Sequence, residues 1–330
     1  MNSKIIFLII FLGLSSLTSA KFIENTDITS YINQLILENK IIFIPAGTFK
    51  IDANKSITPK NGSEINLDPK TKLIVIPNNY GSYRLFNINN VSDVKISGGT
   101  LVGDKYTHLG TTGEWGMGIE IKDSKNITIS NIKIEKMWGD AIYIGTNGKN
   151  SNQNIILDKI EIDDNRRQGI SIISVNTLKA SNIIISNTKG KSPMNGIDIE
   201  PNNNKNILKN IDLKNIQSIN NFAAGFQISL KKYNYSQNPI SIKLSNYSDT
   251  GSRFGIKING INSPVYGNIE IDSVNLMNNK TSNYCFQHWK NNKIKVNITN
   301  LKHDKSYVKN KREWCTPYTQ NKFLIIKKVN

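Results

Sequence analysis

Gly118-Ile119-Glu120-Ile121, Ala141-Ile142-Tyr143-Ile144, Gly169-Ile170-Ser171-Ile172, Gly196-Ile197-Asp198-Ile199, Gly225-Phe226-Gln227-Ile228 and Gly255-Ile256-Lys257-Ile258 are six versions of one phrase, 23 to 30 residues apart. Two large apolar residues flank one variable position, the period-2 pattern of a strand with one buried face. A phrase that returns at a near-constant period implies one supersecondary unit stacked on itself. The variable position then runs up one outer face as a column: Glu120, Tyr143, Ser171, Asp198, Gln227, Lys257. A packed interior has no use for that set. A binding or catalytic face does.

Working outward, Ile127-Thr128-Ile129, Ile155-Ile156-Leu157, Ile183-Ile184-Ile185 and Ile207-Leu208 each follow an Asn, at Asn126, Asn154, Asn182 and Asn206. Asn tolerates the left-handed conformation of tight turns, and stacked turn amides bond to one another. Each repeat thus holds about three short strands and no helix of useful length, which excludes leucine-rich and helical-pair solenoids. A coiled sheet of roughly ten or eleven rungs fits the length. The polar stretches 146–153, 202–205 and 231–238 read as loops leaving one side. Residues 27–40 place Ile28, Tyr31, Ile32, Leu35 and Ile36 at helical spacing, with Thr26 or Asp27 as cap. That helix is predicted to cover one end of the stack.

The expected domain plan is a signal peptide at 1–20 and one all-β domain at 21–330. Residues 21–50 would form the N-terminal cap and first strands, and 284–322 an irregular C-terminal cap. Lys4, the apolar run 5–14 and Thr18-Ser19-Ala20 have the order of a secretory signal. The apolar run is shorter than the ~20 residues of a membrane span. A secreted or periplasmic location follows, and there Cys285 and Cys315 are expected to form a disulfide. The 42 basic and 25 acidic residues give a net charge of +17. In an exported protein this favours an acidic polysaccharide over nucleic acid as partner. A monomer is expected.

With these elements in place, the sequence resembles the right-handed parallel β-helix proteins of the pectin-lyase-like superfamily. Ile44-Pro45-Ala46-Gly47-Thr48-Phe49 and the rung phrases from Gly98 to about Ile258 carry the resemblance. It implies a single-stranded right-handed β-helix. Members include polysaccharide lyases, polygalacturonase-like hydrolases, epimerases, capsule-degrading enzymes and adhesins without chemistry.

Aligned on the repeated Gly, the preceding column reads Met117, Asp140, Gln168, Asn195, Ala224, Phe254. Neighbouring rungs lie about 4.8 Å apart. Asp140, Arg166 and Arg167, and Asp198 therefore fall on three consecutive rungs, with Glu200 two residues beyond Asp198. Paired carboxyls at such spacing suit glycoside hydrolysis, one as acid and one as base or nucleophile. Only five of the basic residues are Arg, and two are adjacent, Arg166-Arg167. Arg recognises carboxylates through two parallel bonds. Arg253 shares the column of Arg167. Trp115 and Trp138 share a register and offer faces for sugar stacking.

The expected catalytic set is Asp198, Glu200, Asp140, Asp164 and Arg167. Substrate contacts fall to Arg166, Trp115, Trp138, Glu120, Tyr143, His108, Gln227, Arg253 and Lys257. By resemblance, Trp138-Gly139-Asp140 and Asp163-Asp164 match two of the three polygalacturonase phrases, and the Gly-His-Gly phrase is missing. Lyase-like members use a Lys or Arg base and calcium held by Asp, for which Asp163, Asp164 and Arg167 are the candidates. No other cofactor is expected. The predicted function is cleavage of an acidic glycan by a carboxylate pair. The alternatives are β-elimination and non-catalytic glycan adhesion.

Overall fold

The period-2 alternation of the repeated phrase becomes a stack of parallel strands. A computed structural model describes residues 22–148, 151–233, 238–260, 265–287, 293–304 and 324–328. Among them the short strands Trp115–Lys122, Ile142–Gly145, Ile170–Ile172, Ile197–Ile199, Ala224–Ser229 and Phe254–Asn259 form one parallel sheet, closed by Ser82–Asn89 and Ser282–Gln287 at its ends. From Lys125 on, each coil also contributes a longer strand to a second, 14-stranded parallel sheet. The chain is a right-handed parallel β-helix.

The interior is built from columns of like residues. Ile119, Ile142, Ile170, Ile197, Phe226 and Ile256 stand in register on successive rungs, and all are buried. Burying each such side chain stabilises the coil by roughly 1.5–3 kcal/mol. The Gly that opens the phrase has a steric cause. A Cβ on Gly169 would lie 2.4 Å from the Gly196 carbonyl oxygen, and one on Gly196 would lie 2.5 Å from that of Gly225. At these two positions a side chain would push adjacent rungs apart, whereas the rung at Ala141 accommodates a methyl group.

The long strands differ from the expectation of three short strands per repeat. Asn152–Asp163, Val175–Ser186 and Leu208–Ile219 are each continuous. They bend at residues in the left-handed conformation, which turn the strand while pairing resumes on both sides. Two of these bend positions stack into ladders inside the strands. One runs Asp93, Asn126, Asn154, Thr177, Asn210; the other runs Asn131, Lys159, Asn182, Asn215, Asn246, Ser273, Asn300. A third ladder, Lys136, Asp164, Asn187, Asn220, ends the long strands. The stacked amides bond as expected: Asn154 donates to Asn126 at 3.0 Å and Asn215 to Asn182 at 3.0 Å. The four Asn that precede the apolar runs nevertheless do not share one ladder. Asn126 and Asn154 belong to one, Asn182 to the next, and Asn206 to neither.

The N-terminal helix spans Thr29–Glu38. Ile28, Ile32 and Ile36 join Ile42 and Ile44 in the core, so the helix covers the first coil. Asp27 Oδ1 accepts the Thr29 backbone N–H at 2.9 Å, while the residue at the cap position is Ile28. At the other end Ser282–Gln287 and Ile294–His303 continue both sheets into the segment expected to be an irregular cap. The expected signal peptide and Cys315 lie outside the described residues; Cys285 is buried beside Ala224 and Phe254. No helix among the described residues is long and apolar enough to cross a membrane.

Candidate active site

The outer face of the short-strand sheet carries the column read from the sequence, extended at both ends: Asn87, Glu120, Tyr143, Ser171, Asp198, Gln227, Lys257, Cys285. Across its middle lies a cleft of about 370 Å³. Glu120, Tyr143, Arg167, Asp198, Glu200 and Trp115 line it. Loops add Asn202 and Lys232 to one wall.

Asp198 forms part of the cleft floor, yet is only 1% exposed. Amides from its own and neighbouring rungs cover it. Gln168 Nε2 donates to its Oδ2 at 2.6 Å and Asn195 Nδ2 to the same oxygen at 3.1 Å. Gln227 Nε2 donates to Oδ1 at 3.0 Å. Burial, and then the charge of Glu200, pushes the Asp198 carboxyl up to about 6, against the pull of the three donors. Glu200 is half-buried, and its carboxyl takes no hydrogen bond or ion pair among the described residues.

Asp140 was expected to share proton transfer. It is instead fully buried and engaged: Arg167 Nη1 lies 3.0 and 2.9 Å from its two oxygens, and Ser171 Oγ donates at 2.7 Å. Burial raises its pKa even so. Arg167 also faces Glu114 at 3.4 Å. Its guanidinium ties the cleft floor together rather than standing free as a base or a carboxylate clamp. Glu120 is held likewise, with Arg84 at 2.7 Å and Lys122 at 2.9 Å. Tyr143 lies beside Lys122, and burial pushes its hydroxyl up to about 12.

Four expected substrate contacts change role. Trp138 is 8% exposed and offers no face to a sugar. The Arg166 guanidinium covers one side, 3.6 Å from the ring centroid, and His108 stacks on the other at 3.8 Å. Arg166 further donates to the Gly113 and Trp138 carbonyls, both at 3.1 Å. His108 is buried and bonded through Nδ1 to Asp104 at 2.8 Å. The three residues together hold the loop 103–114. Gln227, the fourth, faces Asp198 rather than open solvent. Trp115, by contrast, is 51% exposed at the cleft edge. Arg253 and Lys257 are half-buried farther along the face, both near the Phe254 ring.

Asp163 and Asp164 are placed on the other sheet, at the end of Asn152–Asp163, so Asp164 is not a cleft residue. Asp163 accepts from Ser186 and Asn187, both at 2.7 Å. Asp164 accepts from Lys105 and Tyr106, both at 2.7 Å. With Asp140 bound to Arg167, these carboxylates do not converge on a cation. No group of three or more His, Cys, Asp or Glu side chains among the described residues is arranged to hold a metal.

The site also contains residues that the sequence reading did not select. Gln168 and Asn195 stand in the aligned column beside Asp140, so the register alone could have nominated them. Ser171 stands in the variable column. Asn202 and Lys232 come from non-repeating loops, for which periodicity offers no signal.

No family model matches the chain. It is 31% identical over 206 residues to the uncharacterized protein YclG of Bacillus subtilis (strain 168), which covers 53% of this chain and 35% of that protein. It is 30% identical over 188 residues to the SPbeta prophage-derived uncharacterized protein YorA of the same organism, covering 48% of this chain and 32% of that one. The chain thus matches about a third of the length of these relatives. Among solved structures, endo-xylogalacturonan hydrolase from Aspergillus tubingensis superposes with a TM-score of 0.58 at 11% identity, covering 85% of this chain and 82% of the other. The tailspike protein gp49 of Acinetobacter baumannii bacteriophage Fri1, a capsular polysaccharide depolymerase, superposes with a TM-score of 0.55 at 13% identity, covering 87% and 58%. These likenesses establish a shared fold, the parallel β-helix.

Proposed function

We propose that this pectin-lyase-like β-helix is an exported enzyme that cleaves an acidic glycan in the cleft, with Asp198 and Glu200 as its carboxyl pair. The observation that carries the reading is the contrast between the two groups. Asp198 is buried, and burial and then the charge of Glu200 push its carboxyl up to about 6, while Glu200, two residues on, is half-buried and unpaired among the described residues. Two carboxyls in unlike environments divide acid and base work. In hydrolysis the Asp198 proton passes to the glycosidic oxygen as the bond to the anomeric carbon breaks. Glu200 takes a proton from water as the water oxygen bonds to that carbon, or attacks the carbon itself.

An acidic substrate is supported by Lys232 in the cleft wall, Lys257 two rungs beyond Asp198, and the net charge of +17. A carboxylate clamp made of Arg166 and Arg167 is not supported, because both guanidinia are engaged by the protein. The chain is proposed to act as a monomer outside the cytoplasm. Trp115 supplies an exposed ring for a sugar at the cleft edge.

The runner-up is β-elimination with Lys257 as base. It is favoured by the lowered pKa of Lys257, caused by burial and then by the neighbouring Lys231. A non-catalytic adhesin would leave its carboxylates locked by Arg, which describes Asp140 but not Asp198 or Glu200. The deciding experiment incubates the protein with a panel of acidic polysaccharides and scores new reducing ends and unsaturated-uronate absorbance separately. New ends without unsaturation support hydrolysis. Unsaturation supports the lyase, and binding without cleavage supports the adhesin.

A further inference from the structure

The two amides that reach Asp198 Oδ2 cannot turn round. Gln168 Oε1 accepts the Asn195 backbone N–H at 2.9 Å. Asn195 Oδ1 accepts the Ala224 backbone N–H, also at 2.9 Å. A backbone N–H only donates, so each side-chain carbonyl is fixed toward the backbone and each NH₂ toward the carboxyl. Both amides are buried. Oδ2 therefore faces two permanent donors. A proton placed on it would meet N–H groups with no acceptor, a costly arrangement in a buried site. Oδ1 meets one donor, Gln227, whose carbonyl takes no backbone N–H among the described residues.

We propose that Gln168 and Asn195 are positioning residues for Asp198: they reserve Oδ2 as an acceptor, direct the exchangeable proton to Oδ1, and hold down the proton affinity of a carboxyl that burial would otherwise neutralise. The charged groups around Asp198 are Glu200 on the same chain segment, Arg167 one rung earlier and Lys257 two rungs later. Glu200 opposes ionisation, and Arg167 and Lys257 favour it. The two fixed amides add a directional component that none of these charges supplies. The catalytic meaning rests on the function proposed above, but the arrangement itself does not.

The test is a carboxyl carbon NMR titration of Asp198, which requires no turnover, on the unsubstituted chain and on Gln168→Met and Asn195→Ala. Each substitution removes one fixed donor, so the Asp198 midpoint should rise by about one to two pH units. In the unsubstituted chain the Gln168 and Asn195 side-chain NH₂ resonances should move with the Asp198 midpoint, a measurement that survives if a variant fails to fold. On a cleaved substrate the basic limb of the pH–rate profile should move up with the midpoint. A midpoint unchanged in a folded variant, or amide resonances indifferent to Asp198 ionisation, overturns the proposal. A raised midpoint in a chain that cleaves no glycan upholds the positioning role and removes only the enzymatic reading.

Discussion

Arg167 binds Asp140 through a single nitrogen, Nη1, which sits 3.0 and 2.9 Å from the two carboxylate oxygens while Nε faces Glu114 at 3.4 Å. The guanidinium thus bridges a buried acid and a partly exposed one. Removing one partner of such a pair leaves an uncompensated buried charge, which typically costs 3–5 kcal/mol.

Arg167→Ala is accordingly expected to act first on stability. Thermal or denaturant unfolding should show a loss of roughly 3 kcal/mol or more. Asp140→Asn should be milder, because it removes the buried charge along with the pairing. An Arg167→Ala protein that unfolds like the parent and only binds substrate weakly would restore the carboxylate-clamp role.

Asp198→Asn is expected to lower activity by about 10²-fold or more through loss of the proton. It should also destabilise the fold. The column position alone places Asp198 on an outer face, where a substitution costs little stability. The three amide donors change that expectation, because an Asn NH₂ would point at an N–H and leave a buried donor unmatched, for about 1–3 kcal/mol. Activity and melting temperature measured on the same preparation check both halves.

Stability should fall as pH rises from about 4 through 6. Asp249 is buried away from the cleft, and burial lifts its carboxyl from 3.8 to about 6. Asp198 is lifted to about the same value by burial and Glu200. Each group binds its proton more tightly when folded than when unfolded. Its contribution is therefore fully present below about pH 4 and lost above 6. Asp249→Asn should flatten that slope, removing about 3 kcal/mol of the change across the window, read from unfolding curves at several pH values. A slope unchanged in this variant would exclude Asp249 as its source.

The fold was legible because the phrase beginning at Gly118 encodes strand, face and rung contact at once. Aligning the rungs on their Gly also places Asp140, Gln168 and Asn195 in one column and Asp198 in another three positions on, and the observed register agrees. What escaped was burial. Nothing local to Asp198 shows that amides from Gln168, Asn195 and Gln227 close over it. In the sequence Asp163-Asp164 groups with the rungs of the cleft, but the left-handed backbone at Asp164 ends the long strand there, a sheet away from Asp198. The Trp138 stack was hidden because His108 lies 30 residues earlier, on a loop outside the repeat.

The two tryptophans that share a register should separate cleanly in experiment. Trp138 is enclosed between Arg166 and His108, so Trp138→Ala opens a cavity and strands two polar side chains. Loss of a buried Trp typically costs 3–5 kcal/mol, and the loop 103–114 should become sensitive to proteolysis. Trp115 is half exposed at the cleft edge, so Trp115→Ala should leave the melting temperature nearly unchanged. If a sugar stacks there, the same change should raise KM or the glycan dissociation constant several-fold and affect kcat less. A Trp115→Ala chain with unaltered glycan affinity would move the sugar-binding edge of the cleft elsewhere. A Trp138→Ala chain of parental stability would show that the Arg166 and His108 stack contributes nothing to holding that loop.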